Sequence, residues 1–387
     1  MKYIGIDVAK DSHMVCILNE KKEKLQTFKI KNSNLGILEF QKKLSKHDTE
    51  FRIGMESSGV YHHCILHHLQ QKYKNVAVIN PKRTKAHRKS LGFEFKTDKI
   101  DSYIISDYVK ERALSNNILP DKYPLIKQLC RTRTKLIRQK TRLKNRIKGD
   151  MHILFPEYAK CFSDMFCNAS LSFLKQFTNP KKVSKLTEQK IRDILIKTSK
   201  TVSYNHAKKI LLAAKDSFGI SKQGMDIEIK FAIENLQLLE KQIAILEYKI
   251  DYHFEKLFNP LADVKGMNKI YAAGIIAESG DIDYFKNRDQ YYNFTGFVPR
   301  FAQSGNFESK FNHMNKCGSS YLRHYFFQAA ISMKRFNPYF MKLFIKKHVV
   351  EKKSKDEAHV YCAKKLCHIV FKLLKSKTRF CPDKLAQ

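Results

Sequence analysis

Between Lys2 and Ile79 the apolar residues change period several times, and this limits the chain more than any other feature. Lys2–Asp7, His13–Leu18 and Leu25–Ile30 alternate as three short strands. Leu35–Leu44 follows as a helix, Phe51–Met55 as a strand, Tyr61–Gln70 as a helix, and Val76–Ile79 as a strand ending at Asn80-Pro81. Three hairpin-like strands followed by helix, strand, helix and strand give an α/β layout with a mixed sheet.

The rest of the chain reads as mainly helical. Leu125, Leu129, Leu136, Leu143 and Ile147 recur at helical spacing, and eleven Lys or Arg with no acid lie between Lys122 and Lys148. A solvated face normally mixes signs, so this helix is expected to meet phosphate, with Arg131, Arg133, Lys135, Arg138, Arg142, Lys144 and Arg146 as contacts. Ile229, Ala232, Leu236, Leu239, Ile243, Leu246 and Ile250 alternate by threes and fours, the seam of a coiled coil with a helix of this chain or of a second subunit. The expected organisation is residues 1–150 as an α/β domain ending in the basic helix, 151–255 as a helical, coiled-coil region, and 256–387 as a mainly helical last domain.

The chain has 387 residues, 43% of them hydrophobic, enough for two or three cores. Lys and Arg number 73 against 37 Asp and Glu, a formal charge of +36 that attracts a polyanion. Nucleic acid is the expected partner; an anionic membrane is the weaker alternative, since no apolar run of about 18 residues occurs. Asp7, Lys10 and Asp11 interrupt the N-terminal apolar stretch, so it is not a signal peptide and a cytoplasmic location is expected. The nine cysteines form no CxxC pair and read as reduced thiols.

Four acids stand at places where a sheet and a helix present them. Asp7 ends the first strand in Gly5-Ile6-Asp7, and Glu56 ends another in Gly54-Met55-Glu56. Thr97 can cap a helix whose first turn puts Asp98 and Asp101 on one face. Singly, each reads as a turn former or a helix-dipole partner. Together they would repel one another unless cations lay between them, and hard oxygen ligands suit Mg²⁺ or Mn²⁺ and phosphoryl transfer. In the last domain, Gln303-Ser304-Gly305 is a weak motif by itself, although a serine hydroxyl can attack a phosphodiester to form a covalent link. Lys316 and Arg323 stand in a basic stretch beyond it and are expected to contact nucleic acid. The pairs His63 with His67 and Cys64 with His68 are a lesser candidate for a transition metal.

These residues resemble the DEDD transposases of the IS110 type, a family that includes DNA invertases. Gly5-Ile6-Asp7-Val8-Ala9-Lys10, Met55-Glu56-Ser57-Ser58-Gly59, Asn80-Pro81 and Lys96-Thr97-Asp98-Lys99-Ile100-Asp101 resemble the motifs of its RuvC-like (RNase H-like) N-terminal domain. Gly296-Phe297-Val298-Pro299, Gln303-Ser304-Gly305 and Lys316-Cys317-Gly318 to Leu322-Arg323 resemble its transposase domain. The resemblance implies Asp7, Glu56, Asp98 and Asp101 as ligands of Mg²⁺ or Mn²⁺ and Ser304 as nucleophile. It also implies strand exchange on double-stranded DNA through a 5′-phosphoserine, a structured guide RNA, and dimers assembling to a tetramer in which carboxylates and serine come from different subunits. One departure is Val264-Lys265-Gly266-Met267-Asn268-Lys269, which lacks the second glycine of the family's hairpin.

Three rivals have stated requirements. A hydrolytic RuvC-like junction nuclease needs only the carboxylates. An actin-like ATPase wants Gly and Thr where Ala9 and Lys10 stand, and a second Asp-x-Gly loop. An RNA-binding protein without catalysis leaves the spaced carboxylates to chance.

Overall fold

The computed structural model describes the chain apart from residues 48–49, 58, 113–121, 199–203, 221, 299–302, 305–306, 309–313, 315, 317 and 381–387, and the side chains at 204, 303, 304, 307 and 308. Two compact units divide it, Met1–Pro120 and Asp121–Gln387.

In the first unit the elements run β1 (Lys2–Val8), β2 (Ser12–Leu18), β3 (Lys24–Lys31), α1 (Asn34–Leu44), β4 (Phe51–Glu56), α2 (His62–Lys72), β5 (Val76–Ile79), α3 (Pro81–Ser90) and α4 (Asp98–Glu111). The strands form one mixed sheet in the order β3-β2-β1-β4-β5. The hairpins β1–β2 and β2–β3 are antiparallel, and β1–β4 and β4–β5 are parallel. Ile4, Ile6 and Val8 point to one face and pack with Ile53 and Met55 against Phe40 and Leu44 of α1 and Ile65 and Leu69 of α2.

The other face of β1 and β4 holds α4. Gly5 and Gly54 are direct partners in the parallel ladder. A Cβ on Gly5 would lie 2.2 Å from the Ser102 carbonyl oxygen and 2.3 Å from the Ser106 nitrogen, and one on Gly54 would lie 2.3 Å from Val109 Cγ2. At Gly5 helix backbone therefore rests directly on strand backbone, and at Gly54 the Val109 side chain fills the space. Ile105, Tyr108 and Val109 bury the apolar side of α4 with Ile79. The sequence reading stopped at Asn80-Pro81 and missed α3, which has no apolar stripe. The helix is real because Asn80 caps it, accepting from the Lys82 amide, and Pro81 occupies its first turn.

Among its described residues the second unit is mainly helical, with one short hairpin. Its elements are α5 (Pro124–Leu154), α6 (Asn168–Gln176), α7 (Pro180–Val183), α8 (Glu188–Ile196), α9 (Tyr204–Lys215), α10 (Met225–Phe254), α11 (Lys269–Ser279), α12 (Arg288–Thr295), β6 (Gln303–Ser304), β7 (Phe307–Glu308), α13 (Ser320–Phe336), α14 (Pro338–Ile345) and α15 (Lys355–Ser376). The basic helix α5, expected at the end of a 1–150 domain, falls in this unit. It lies antiparallel to α10 of the same chain, joined by Arg133 to Glu247, Lys140 to Glu240 and Arg146 to Glu228. On α10 the expected positions Ile229, Ala232, Leu236, Ile243 and Ile250 are buried, while Leu239 and Leu246 are half-buried.

The inner face of α5 differs from the expected one. Ile126, Cys130 and Thr134 are buried where Leu125 was expected, and Leu125 is exposed. Thr134 is tolerated inside because its hydroxyl bonds the Cys130 carbonyl at 3.0 Å and lies 3.0 Å from the Tyr325 hydroxyl. The end of α5, α6, α8, α9 and the start of α10 share a core built on Leu154, Phe155, Tyr158, Phe173, Leu195, Ile210 and Ile233.

Two glycine substitutions separate close packing from helix propensity. Gly5→Ala is expected to cost about 3 kcal/mol, because the added methyl meets helix backbone. Gly149→Ala, inside α5 with nothing within 4 Å of the new carbon, is expected to gain about 1 kcal/mol. Urea unfolding of both variants measures this, and an unchanged midpoint for Gly5→Ala would contradict the seating of α4.

Candidate functional site

The glycine pair also explains where the carboxylates lie. Asp7 follows Gly5 by two residues on β1, and Glu56 follows Gly54 by two on β4, so each shares the face of its glycine, on which α4 lies. At the N-terminus of α4 the Thr97 hydroxyl accepts from the Ile100 amide at 3.3 Å, as expected of a cap. Asp98 and Asp101 fall in the first turn; Asp98 is exposed and Asp101 is buried. Two strand ends and one helix start thus converge.

Their charges are felt mutually. Burial, followed by the charges of Asp101, Asp98 and Glu56, raises the Asp7 carboxyl from 3.8 to about 6, against the pull of Lys96. Burial raises Asp101 as well, while Arg88 and Lys96 hold it down. Hard oxygen donors of this kind suit a divalent cation, and Lys96 and Arg88 offset part of their charge; no three of the four acids bring ligand oxygens within 4.8 Å of one another.

The sequence reading missed two residues beside these acids, both on α3. The Thr84 hydroxyl donates to Glu56 Oε2 at 2.7 Å, and Arg88 forms an ion pair with Asp101. The signal that could have found them is the Asn80 cap with Pro81, which starts a helix just after β5.

Among the described residues, one trio of potential ligand atoms lies within 4.8 Å of one another: His87, Asp107 and Glu111. Lys22, 3.0 Å from Asp107 and paired with Glu111, already offsets part of its charge and occupies its carboxylates, so its donor set suits a metal less well. The histidines of α2 form no such group: His62 is buried, His63 and Cys64 are exposed, and His67 contacts Gln71.

In the second unit, two of the glycine motifs meet. Gly296, in a left-handed conformation, caps α12, and a Cβ on Gly318 would lie 2.0 Å from the Phe294 carbonyl oxygen. The Lys316 amide donates to the Gly296 carbonyl, the Ser319 amide to that of Phe294, and Arg323 to that of Thr295. These bonds close the base of the segment that carries β6 and β7, where Ser304 pairs with Phe307 through backbone. The Ser304 side chain lies outside the described residues, as do Gly305 and Cys317.

Residues 4–156 match the family model of the IS110 DEDD transposases, described as transposase, and residues 259–344 match the Transposase IS116/IS110/IS902 family. The chain belongs to the IS110 transposase family. Similar proteins include the pilin gene-inverting proteins of Moraxella lacunata and Moraxella bovis, each 29% identical over 109 residues, 27% of this chain and 33% of theirs. A probable family 20 transposase of Pseudomonas aeruginosa is 33% identical over 92 residues, 23% of this chain and 27% of its own. The chain spans about a third of the length of these curated relatives.

In this IS110-family chain, much of the basic charge assigned to nucleic acid is bound internally. Arg131 donates to the buried Glu278 at 2.8 Å, and Ser319, the cap of α13, reaches the same carboxylate at 3.3 Å. Arg133 and Arg146 are paired with α10, Lys144 lies over the Phe166 ring, and Arg323 holds Thr295. Lys135, Arg138 and Arg142 remain exposed on α5, with Arg138 over the Tyr321 ring, and Lys316 is exposed. Gly266, at the turn that departs from the family pattern, has φ +87°, and its carbonyl accepts from Ser332 on α13, so this turn serves packing. No helix among the described residues is long and apolar enough to cross a membrane.

The raised carboxyl of Asp7 sets a pH dependence. An acid with a folded pKa near 6 and an unfolded value of 3.8 binds protons more tightly when folded, so metal-free stability falls as pH rises through this window. Asp7→Asn is therefore expected to melt higher than wild type at pH 7.5 without metal, and the difference to vanish below about pH 4. Melting curves across pH check this; an Asn variant that melts lower at pH 7.5 would refute it.

Proposed function

We propose that this protein is a transposase or site-specific DNA recombinase that cleaves, exchanges and rejoins strands at a metal-dependent carboxylate site. The observation that carries the reading is the placement of Asp7 and Glu56 at the ends of the paired strands β1 and β4, on the face that holds Asp98 and Asp101 in the first turn of α4. In this reading the first unit is RuvC-like, a view supported by its strand order β3-β2-β1-β4-β5 and by acids at the ends of β1 and β4 and the start of α4. Asp7, Glu56, Asp98 and Asp101 would hold Mg²⁺ or Mn²⁺, which supplies activation of an attacking oxygen and stabilisation of a leaving one.

Ser304 is the proposed nucleophile. Its Oγ attacks phosphorus and loses its proton, the bond to the 3′ oxygen breaks, and that oxygen leaves as a hydroxyl, giving a 5′-phosphoserine. Attack by another 3′ hydroxyl reverses the step and rejoins a strand. The reading is supported by the match of residues 259–344, which include Ser304, to the Transposase IS116/IS110/IS902 family.

Double-stranded DNA as substrate is supported by the charge of +36 and by exposed Lys135, Arg138, Arg142 and Lys316. A guide RNA is part of the proposal through family membership. Self-association into dimers and tetramers is supported by an apolar stripe on α10, where Ile227, Phe231, Leu238, Ile245 and Tyr252 are exposed, four of them seven residues apart. DNA inversion is the second reading, favoured by the pilin gene-inverting relatives.

The test is incubation of protein and co-transcribed RNA with Mg²⁺ and element-end DNA. A 5′-phosphate-linked adduct is expected, absent in Ser304→Ala and in Asp7→Ala. Strand cleavage that persists in Ser304→Ala would replace the covalent mechanism with hydrolysis.

A further inference from the structure

Helix α3 has no hydrophobic reason to be where it is. Its sequence, Pro81 to Ser90, contains Pro81 and Ala86 as its apolar residues and five Lys or Arg. Lys82, Arg83, Lys85 and Lys89 are exposed, and the side chains turned inward are Thr84, His87 and Arg88. Each of these three meets a carboxylate. Thr84 bonds Glu56, Arg88 pairs with Asp101, and His87 Nε2 lies 2.8 Å from Asp107 Oδ2 on α4.

We propose that Thr84 and Arg88 are positioning residues that hold Glu56 and Asp101 in the orientation a divalent cation requires. This rests on the metal-centre reading above. Positions 84 and 88 are one helical turn apart and share a face, so one rigid element sets both acids. The Thr84 hydroxyl has one proton and two acceptors in reach, Glu56 Oε2 at 2.7 Å and the Pro81 carbonyl at 3.0 Å; the shorter contact to a charged oxygen takes it. Thr84 thus engages Oε2 of Glu56 and leaves Oε1, and Arg88 engages Oδ1 of Asp101 and leaves Oδ2. Each acid keeps one oxygen for an ion while the other is fixed. The guanidinium also offsets the charge that burial and Asp98 and Glu56 would otherwise leave unbalanced at Asp101.

His87 with Asp107 is the anchor that keeps α3 in register with α4. Both are buried, and Tyr108 meets the imidazole edge-on. Lys22, from the turn between β2 and β3, closes on the far oxygen of Asp107. The support for the metal site therefore extends through α3 and α4 to the β2–β3 hairpin.

The experiment is titration of the full chain with Mn²⁺ alone, followed by calorimetry and electron paramagnetic resonance, with no DNA present. Thr84→Val and Arg88→Lys, the second of which keeps the charge and loses the guanidinium geometry, are each expected to weaken Mn²⁺ binding by about 10- to 100-fold, the range for loss of a hydrogen bond to a ligating carboxylate. Thr84→Ser, which keeps the hydroxyl, is expected to bind as wild type does. Melting curves identify variants that are folded, and the two positions make separate contacts, so misfolding at one leaves the other as the test. Folded Thr84→Val and Arg88→Lys with wild-type Mn²⁺ affinity would overturn the positioning role. Wild-type protein without a Mn²⁺ site that Asp7→Asn removes would instead overturn the metal-centre reading.

Discussion

Helix α4 lies with its backbone directly on β1 at Gly5, and the ladder partner Gly54 on β4 leaves the space that the Val109 and Ile79 side chains fill. Any Cβ at Gly5 would meet the backbone of Ser102 and Ser106. That contact fixes the height of α4 above the sheet and where its first turn falls relative to the strand ends. Asp7 and Glu56 stand two residues beyond the glycines, and Asp98 and Asp101 open the helix, so the same constraint that packs the unit gathers the four acids. The electrostatic consequence is the raised carboxyl of Asp7. Around this centre α3 supplies Thr84 and Arg88, and His87 with Asp107 ties α3 back to α4.

The distribution of positive charge follows a different logic in the second unit. A run of basic residues on α5 looks in sequence like a single phosphate-binding stripe. Arg131, Arg133, Lys140 and Arg146 are instead paired with Glu278, Glu247, Glu240 and Glu228, which sit 82 to 147 positions away and were invisible to a reading of the run itself. Removing any of these arginines is therefore a structural change as well as an electrostatic one, most of all at Arg131, whose partner Glu278 is buried. The exposed remainder, Lys135, Arg138 and Arg142, is a smaller and better defined surface for a polyanion.

Much of the first unit was legible because its signals are local. Alternating strands, the Thr97 cap and acids at element ends depend on neighbours within a few residues, and the elements fall within one or two residues of where the sequence puts them. What escaped depends on partners far along the chain. Helix α3 carries no apolar period and is held by polar contacts to residues 13 to 28 positions away, so only its Asn80-Pro81 start announces it. Thr134 takes a buried place on α5 because Tyr325 lies beside its hydroxyl, a fact no helical wheel contains. Gly296 and Gly318 were legible as motifs, yet their mutual packing beside Phe294 comes from tertiary structure alone.

The most direct measurement of the central claim is anomalous diffraction from crystals soaked in Mn²⁺. The account predicts peaks among Asp7, Glu56, Asp98 and Asp101, with carboxylate oxygens at about 2.1 Å from the ion. A peak at His87, Asp107 and Glu111, or no peak beside Asp7 at saturating Mn²⁺, would contradict it.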